Sequence, residues 1–340
     1  MKKSTWILLA LLLVLAAVAY FTQGEKENYM DGDQLAIANT SQIHKIFIAD
    51  RHKSRITLTK GDDGWTVNDK FRARDAAVNT LLNTVEGVRV QNYVAKAAEK
   101  NVLQELRDFG IKAEFYDKND KILKVYYVGG GAPNQNGSYM MQEGDNNIYV
   151  VRIRNWEGVL KPRFLLDEID WRDRAVFRFN PDEIKEVTVE YPGSPESSFK
   201  LEKKAKDDYQ VYPLKVEQSF VKDRPDVVKG KVLYYLKGYE KQIAEAFENG
   251  NEARDSIIQT QPFARINVVD ENNNSKNVKL FPIQGKEVGT LPDGTIKRAP
   301  VERYFASVDE NTDFMMVQHL LFKRLLAPYE FFFTEEDQKE

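Results

Sequence analysis

The chain has no cysteine among its 340 residues, which excludes disulfides, thiolate metal sites, cysteine nucleophiles and a lipidated-cysteine anchor together. Histidine is nearly as scarce. His44, His52 and His319 are the three present, and no pair has H-x-x-x-H spacing beside a carboxylate-bearing helix, so the pattern offers no zinc site. An excess of positive charge is also missing: Lys and Arg total 49 against 52 for Asp and Glu, a net charge of -3. Without a basic field, nucleic acid is not an expected partner. No G-x-S-x-G elbow occurs either. What the chain does have is 42% hydrophobic and 11% aromatic content, ample for a sizeable core in about two domains.

The most specific signal is at the N-terminus. "MKKST" precedes "WILLALLLVLAAVAYFT", Trp6 to Thr22, which carries no charge, and the polar "QGEKENYMDGDQ" follows. Lys2 and Lys3 hold the short flank in the cytoplasm, so the remainder crosses the membrane. Seventeen apolar residues reach the lower end of the range for a spanning helix, with Trp6 and Tyr20 as interface anchors. The small-x-small "AVA" at Ala17–Ala19 also fits a signal-peptidase site, so retention and cleavage both stay open. In either case the folded part is expected outside the cytoplasm, where ATP and nicotinamide cofactors are scarce. No cofactor is expected. Residues 1–24 read as the anchor and 25–42 as a polar spacer.

Period-2 runs then begin. "IHKIFIAD" (43–50), "SRITLTK" and "GWTVN" read as strands. In "DAAVNTLLNTVEG" the period changes: Val78, Leu81, Leu82 and Val85 fall at i, i+3, i+4 and i+7, with Asp75 placed to cap the start and Gly87 the end. A short helix around "NVLQELRDFG" comes next, then a meander of "KAEFYD", "KILKVYYVG", "SYMMQEG" and "NIYVVRI". The order recurs in the second half. "IKEVTVEYP", "SFKLEK" and "DDYQVYP" answer the first three strands, and Val232, Tyr235, Leu236 and Tyr239 restore helical spacing, which continues through Ile243 and Phe247. "FARINVVDENNNSKNVKLFPIQG" and "RYFASVDENTDFMMV" answer the meander. The expected architecture is α+β: an N-terminal transmembrane helix, then two tandem, duplicated units, 43–166 and 184–333, with mainly antiparallel sheets and packed helices. The end, "PYEFFFTEEDQKE", reads as a closing strand whose Phe331–Phe333 join the second core, and an acidic tail, 334–340.

Between the units, 167–183 is a connector dense in charge and aromatics. Trp171, Arg172, Asp173 and Arg174 could form a recognition patch; alternatively the charges pair with one another while Trp171, Val176 and Phe177 pack between the lobes.

Gly64-Trp65, the helix "DAAVNTLLNTV" from Asp75 through Leu82 and Val85, Leu106 with Phe109-Gly110-Ile111, Tyr139 through Val151, and "WRDR" together resemble a family of bacterial membrane-anchored proteins, catalogued as domain of unknown function 4340. The likeness covers most of 43–180 and, more faintly, the second unit. Such proteins often accompany components resembling gliding-motility-associated ABC transporters. The resemblance therefore implies an accessory role in the envelope, and it brings no catalytic residues.

Motif by motif, the chemistry is sparse. "YYVGGGAPNQNGSYM" (126–140) suggests a phosphate cradle through Gly129, Gly130 and Gly131, yet the Walker lysine is absent and the stretch runs strand to strand instead of strand to helix. It reads as a loop of the meander, with a longer counterpart, "IQGKEVGTLPDGTIKRAPVERY". "DENNNS" (270–275) echoes a calcium loop, but serine replaces the required glycine and Phe281 the bidentate glutamate, so a hairpin turn is expected. Two function classes follow. One is a non-enzymatic, membrane-tethered interaction module, accessory to an ABC-type or envelope system, that docks a protein partner. The other is an extracytoplasmic polysaccharide-binding protein or hydrolase with a carboxylate pair between the lobes and aromatics such as Trp156, Trp171, Tyr234 and Tyr235.

Overall fold

The computed structural model describes residues 32–133, 136–154, 156–214, 226–290 and 295–333. The apolar run expected to cross the membrane and the tail 334–340 lie outside the described residues. Among the described residues, no helix is long and apolar enough to cross a membrane. The fold is mixed α+β with mostly antiparallel sheets and few helices, and it divides into two compact units at Asp173/Arg174.

The first unit comprises β1 (Lys45–Asp50), β2 (Arg55–Gly61), β3 (Gly64–Val67), β4 (Phe71–Arg72), α1 (Asp75–Gly87), β5 (Val88–Tyr93), α2 (Lys96–Phe109), β6 (Ile111–Tyr116), β7 (Ile122–Gly131), β8 (Ser138–Gln142), β9 (Tyr149–Ile153) and α3 (Glu168–Trp171). Its nine strands form one sheet in the order β4-β3-β2-β1-β6-β7-β8-β9-β5. Alternation decides the faces. Ile46, Ile48, Ile56, Leu58, Ala113, Phe115, Tyr126 and Val128 share a core with Val78, Leu81 and Val85 of α1, where period 2 meets period 3.6. Each such aliphatic or aromatic side chain contributes about 1.5–3 kcal/mol on burial. A smaller cluster joins Val102 and Leu106 of α2 to Ile148, with Tyr127, Tyr139 and Met141 packed against it.

Several expectations change here. Arg74, not Asp75, is the N-cap of α1 and makes no side-chain cap bond; Asp75 lies in the first turn, where its charge complements the helix dipole. Gly87 is the last helical residue and Val88 the C-cap, so helix passes directly into strand with no breaker. The strand it enters, β5, was not anticipated; it pairs antiparallel with β9 and forms the sheet's edge. α2 begins at Lys96, five residues before "NVLQ". The spacer is also shorter than expected. Leu35 and Ile37 are buried in the core, the Ile37 N–H donates to Val85 O (2.9 Å), the Tyr126 hydroxyl donates to Leu35 O, and Gly32 bridges Val90. Two apolar side chains at alternate positions were enough to draw a polar segment into the fold.

The second unit comprises β10 (Ala175–Phe177), β11 (Ile184–Glu190), β12 (Phe199–Ala205), β13 (Asp208–Pro213), α4 (Lys229–Leu236), β14 (Gln242–Ile243), β15 (Ala246–Phe247), α5 (Arg254–Ile258), β16 (Ala264–Asp270), β17 (Ser275–Pro282), β18 (Glu287–Thr290), β19 (Ile296–Arg298), β20 (Arg303–Val308), β21 (Asp313–Gln318) and α6 (His319–Phe322). Its main sheet runs β13-β12-β11-β16-β17-β20-β21-β15. Read strand for strand, that is the first unit's order without β4.

The helical spacing does not continue past Tyr239. α4 ends at Leu236, a 3-10 turn covers Lys237–Tyr239, and Ile243 and Phe247 lie on β14 and β15. Gly238 sits where a Cβ would come within 2.6 Å of Leu325 Cδ2, so the chain turns against the segment after α6. The expected closing strand is instead a 3-10 turn, Tyr329–Phe332, entered from Pro328. Phe332 is fully buried, its ring 4.9 Å from Phe199 and 5.2 Å from Tyr235, with Phe331 and Phe333 packed against the same core.

"DENNNS" forms the β16–β17 hairpin turn. Asp270 Oδ1 accepts the N–H groups of Asn272 (2.9 Å) and Asn274 (2.8 Å), and Asn273 takes the left-handed conformation. The β6–β7 turn is built alike: Asp117 Oδ1 accepts from Asn119 (2.8 Å) and Lys121 (3.0 Å), with Asp120 left-handed.

Candidate functional site

The four connector residues fall on both sides of the unit boundary. Trp171 closes α3 inside the first core, its indole N–H donating to Leu165 O at 3.0 Å. Arg172 is buried, with its guanidinium 3.7 Å from the centroid of the Phe71 ring and its backbone bridged to Ala73. Asp173 donates its N–H to Arg72 O (2.8 Å), and its carboxylate lies 3.8 Å from Arg72 Nε. Arg174 belongs to the second unit: its carbonyl accepts from Ala244 N (2.8 Å) and its guanidinium donates to Glu245 O. Val176 and Phe177 lie in the second core. The aromatics of the connector therefore belong to two separate cores, Trp171 to the first and Phe177 to the second.

Gly129, Gly130 and Gly131 are not in a loop. They are the last three residues of β7, and Gly131 pairs with Ser138 of β8. Their composition has a packing cause. A Cβ on Gly129 would come within 2.9 Å of Leu106 Cδ2 and 3.0 Å of Glu105 Oε2, and one on Gly130 within 3.1 Å of Glu105 Oε1. The Gly130 N–H donates to Glu105 Oε1 at 2.8 Å. The glycines let α2 lie close over the strand, and Glu105 occupies the place an anion would take. Sequence reading missed this because the glycines and the helix that needs them lie some 20 residues apart in the chain.

In the second unit the link corresponding to β7–β8 carries an insertion, the ribbon β18–β19. Every residue of both strands is exposed, Val288 at 57% and Ile296 at 48%. Glu287 and Arg298 pair across it at 2.8 Å, and the Ala299 N–H donates to Lys286 O at 2.8 Å. Gly285 at its base has no room for a Cβ, which would fall 2.1 Å from Ala299 O. Each strand has one large apolar residue, Val288 or Ile296, so no alternation marks the ribbon in the sequence.

Of the four aromatics expected in a saccharide cleft, Trp171 and Tyr235 are core residues. Tyr235 and Tyr239 share a hydroxyl contact at 2.7 Å, and burial pushes both phenols well above their ordinary range. Trp156 is half-buried with Arg163 stacked 4.1 Å from its ring, and Tyr234 is exposed with Arg324 at 4.0 Å. A different aromatic cavity, about 480 Å3, is lined by Tyr191, Ser194, Ser197, Gln261, Phe263 and Pro328. Phe263, 42% exposed, stacks on Tyr304 at 5.7 Å. A second cavity of about 480 Å3 contains Lys185, Lys203, Lys204 and Lys206 with Asp182 and Glu271. Its central cation is already engaged, since Lys203 donates to Asp182 O (2.5 Å) and Glu271 Oε1 (2.6 Å), and the Glu271 bond raises its pKa. The histidines stay apart: the His319 ring meets the Tyr304 hydroxyl (3.0 Å), and the His44 ring meets Gln42 O (3.0 Å). No group of three or more His, Asp or Glu able to hold a metal occurs among the described residues.

Residues 95–230 match the family model described as a domain of unknown function (DUF4340). The family read from the motifs is thus the family matched, although the matched stretch begins only at α2 and runs on to the start of α4. No curated protein and no solved structure matches the chain.

Proposed function

We propose, from the DUF4340 match over residues 95–230 as premise, that the protein is a membrane-tethered, extracytoplasmic interaction module of the bacterial envelope, accessory to an ABC-type transport system. The ribbon β18–β19 carries this reading. An isolated two-stranded ribbon is marginal in water, and its unpaired backbone edges are a template for a strand of another chain. The ribbon projects Val288 and Ile296 into solvent at the one link of the meander where the second sheet has an insertion. The apolar run Trp6–Thr22 supports the tether, and the shared strand order supports an internal duplication in which one copy gained the ribbon.

The test uses the full chain in its native membrane with a photo-crosslinking residue at Val288 or, as control, at the exposed Lys70. A discrete adduct with a transporter or envelope subunit is expected from position 288 and not from 70, and the double change Val288→Asp, Ile296→Asp placed beside a crosslinker at Glu287 should abolish it. An adduct that survives removal of the ribbon would overturn the reading.

Saccharide binding is the second reading, supported by the Tyr191–Phe263 cavity, where an exposed ring stands among Ser194, Ser197 and Gln261. Retention of the protein on envelope polysaccharide, lost in Phe263→Ala, would favour it over the first.

A further inference from the structure

We infer that the β5 edge of the first sheet faces the membrane, with Arg89 and Arg152 set against anionic phospholipid headgroups. The inference rests on the anchored reading above and adds an orientation to it. Gly32 bridges Val90, whose N–H donates to Gly32 O at 2.8 Å. Because β9 already occupies the other side of β5, the chain enters the fold at the outer edge of the sheet. Only the nine residues 23–31 separate that point from the end of the apolar run at Thr22.

Lengths then decide between the two ends of the sheet. Nine residues reach about 32 Å when fully stretched and about 17 Å on average as a flexible coil. Nine strands spaced about 4.8 Å apart place β4 about 38 Å from β5. A sheet standing with β4 on the bilayer would hold Gly32 farther away than the tether reaches, whereas β5 can lie at the surface without strain.

Charge agrees with this. Neither β5 ("VRVQNY") nor β9 ("YVVRI") contains an acid. Arg89 and Arg152 are direct cross-strand partners, an unfavourable like-charge pair unless an anion lies over it. Arg89 gives N–H groups to the carbonyls of Glu86 (3.0 Å) and Val88 (2.8 Å), and Arg152 is exposed and forms no ion pair among the described residues. Near the opposite edge the turns carry both signs, Asp62, Asp63 and Asp69 with Lys60 and Lys70, all exposed. Each arginine held near an anionic leaflet strengthens the contact about fivefold.

Because the chain lacks cysteine, one introduced thiol can carry a fluorophore without background labelling. The full chain, labelled at Tyr93→Cys beside β5 or at Lys70→Cys beside β4, is reconstituted in vesicles of phosphatidylcholine with or without phosphatidylglycerol, both containing a headgroup-linked nitroxide quencher. The label at 93 should be quenched strongly in the anionic vesicles, the label at 70 hardly at all. Arg152→Glu should remove most of the quenching at 93 with an unchanged melting temperature, and Arg152→Lys should retain it. Equal quenching at 93 and 70 overturns the orientation, and quenching at 93 indifferent to phosphatidylglycerol and to Arg152→Glu overturns the headgroup contact. A protein that fails to float with vesicles at all fails the anchored reading instead, so the two failures are distinguishable.

Discussion

Before β6 of the first unit stands α2, fourteen residues long; before β16 of the second stands α5, with five. The strands beneath differ to match. Ile111 pairs with Val128 and Ala264 with Leu280, so Gly129 and Gly130 of β7 occupy the places of Phe281 and Pro282 in β17. A glycine admits a helix at close range, and where the helix is short a buried phenylalanine supplies volume instead. The edges differ in the same spirit. β5 pairs with β9 along its length, whereas β15 covers β21 at only Met315 and Met316. Strand order is common to the two units because hairpin turns and inner-face alternation fix it. The outer face and the edges are free to vary, and the link between β17 and β20 accepts a whole ribbon without disturbing the order.

The largest test of that division concerns volume. Trp171→Ala in the first core, and Phe332→Ala or Phe281→Ala in the second unit, should each cost about 3–5 kcal/mol in denaturant unfolding. A chain ending at Phe333 should keep its melting temperature, while one ending at Tyr329 should lose it as Phe332→Ala does. If Phe281→Ala proves neutral, the proposed exchange of helix for ring between the units is wrong. Next in size, Gly129→Ala should cost about 1–3 kcal/mol by forcing α2 outward. Gly250→Ala, where nothing lies within 4 Å of the added carbon, should be close to neutral by the same measurement.

The smallest effect should appear at the twin hairpins. The N–H donors on Asp117, and the Asn274 side chain and backbone donors on Asp270, hold both carboxyls below the usual 3.8. A carboxyl with a depressed folded pKa stabilises above the unfolded value and loses that contribution as pH falls through the folded one. Asp117→Asn and Asp270→Asn should therefore each flatten the loss of stability below about pH 4 in melting curves taken from pH 6 to pH 2. A response in one unit alone would break the equivalence of the turns.

The strands of both meanders, the body of α1 and the Asx hairpins are legible in the sequence because each is written in local periodicity or turn chemistry. β5 was not, since it follows α1 without a break. Nor were Leu35 and Ile37, two apolar residues in a polar segment whose place depends on Val85 and Tyr126 far along the chain. The connector misled for a related reason: "WRDRAVF" looks like one aromatic and charged cluster, yet Trp171 and Phe177 answer to different cores. The glycines of β7 look like a loop in the sequence, because what they accommodate is the helix α2, absent from their neighbourhood in the chain.

The order of strands has a practical corollary for anyone cloning by family boundaries. A fragment cut at 95–230 would contain β6 without β1 and β11 without β16, leaving two long inner strands with bare hydrogen-bonding edges. Such a fragment should precipitate, and a cut between Asp173 and Arg174, where the two compact units divide, is the better place to separate them. The stretch matched by the family model crosses the boundary between the two compact units.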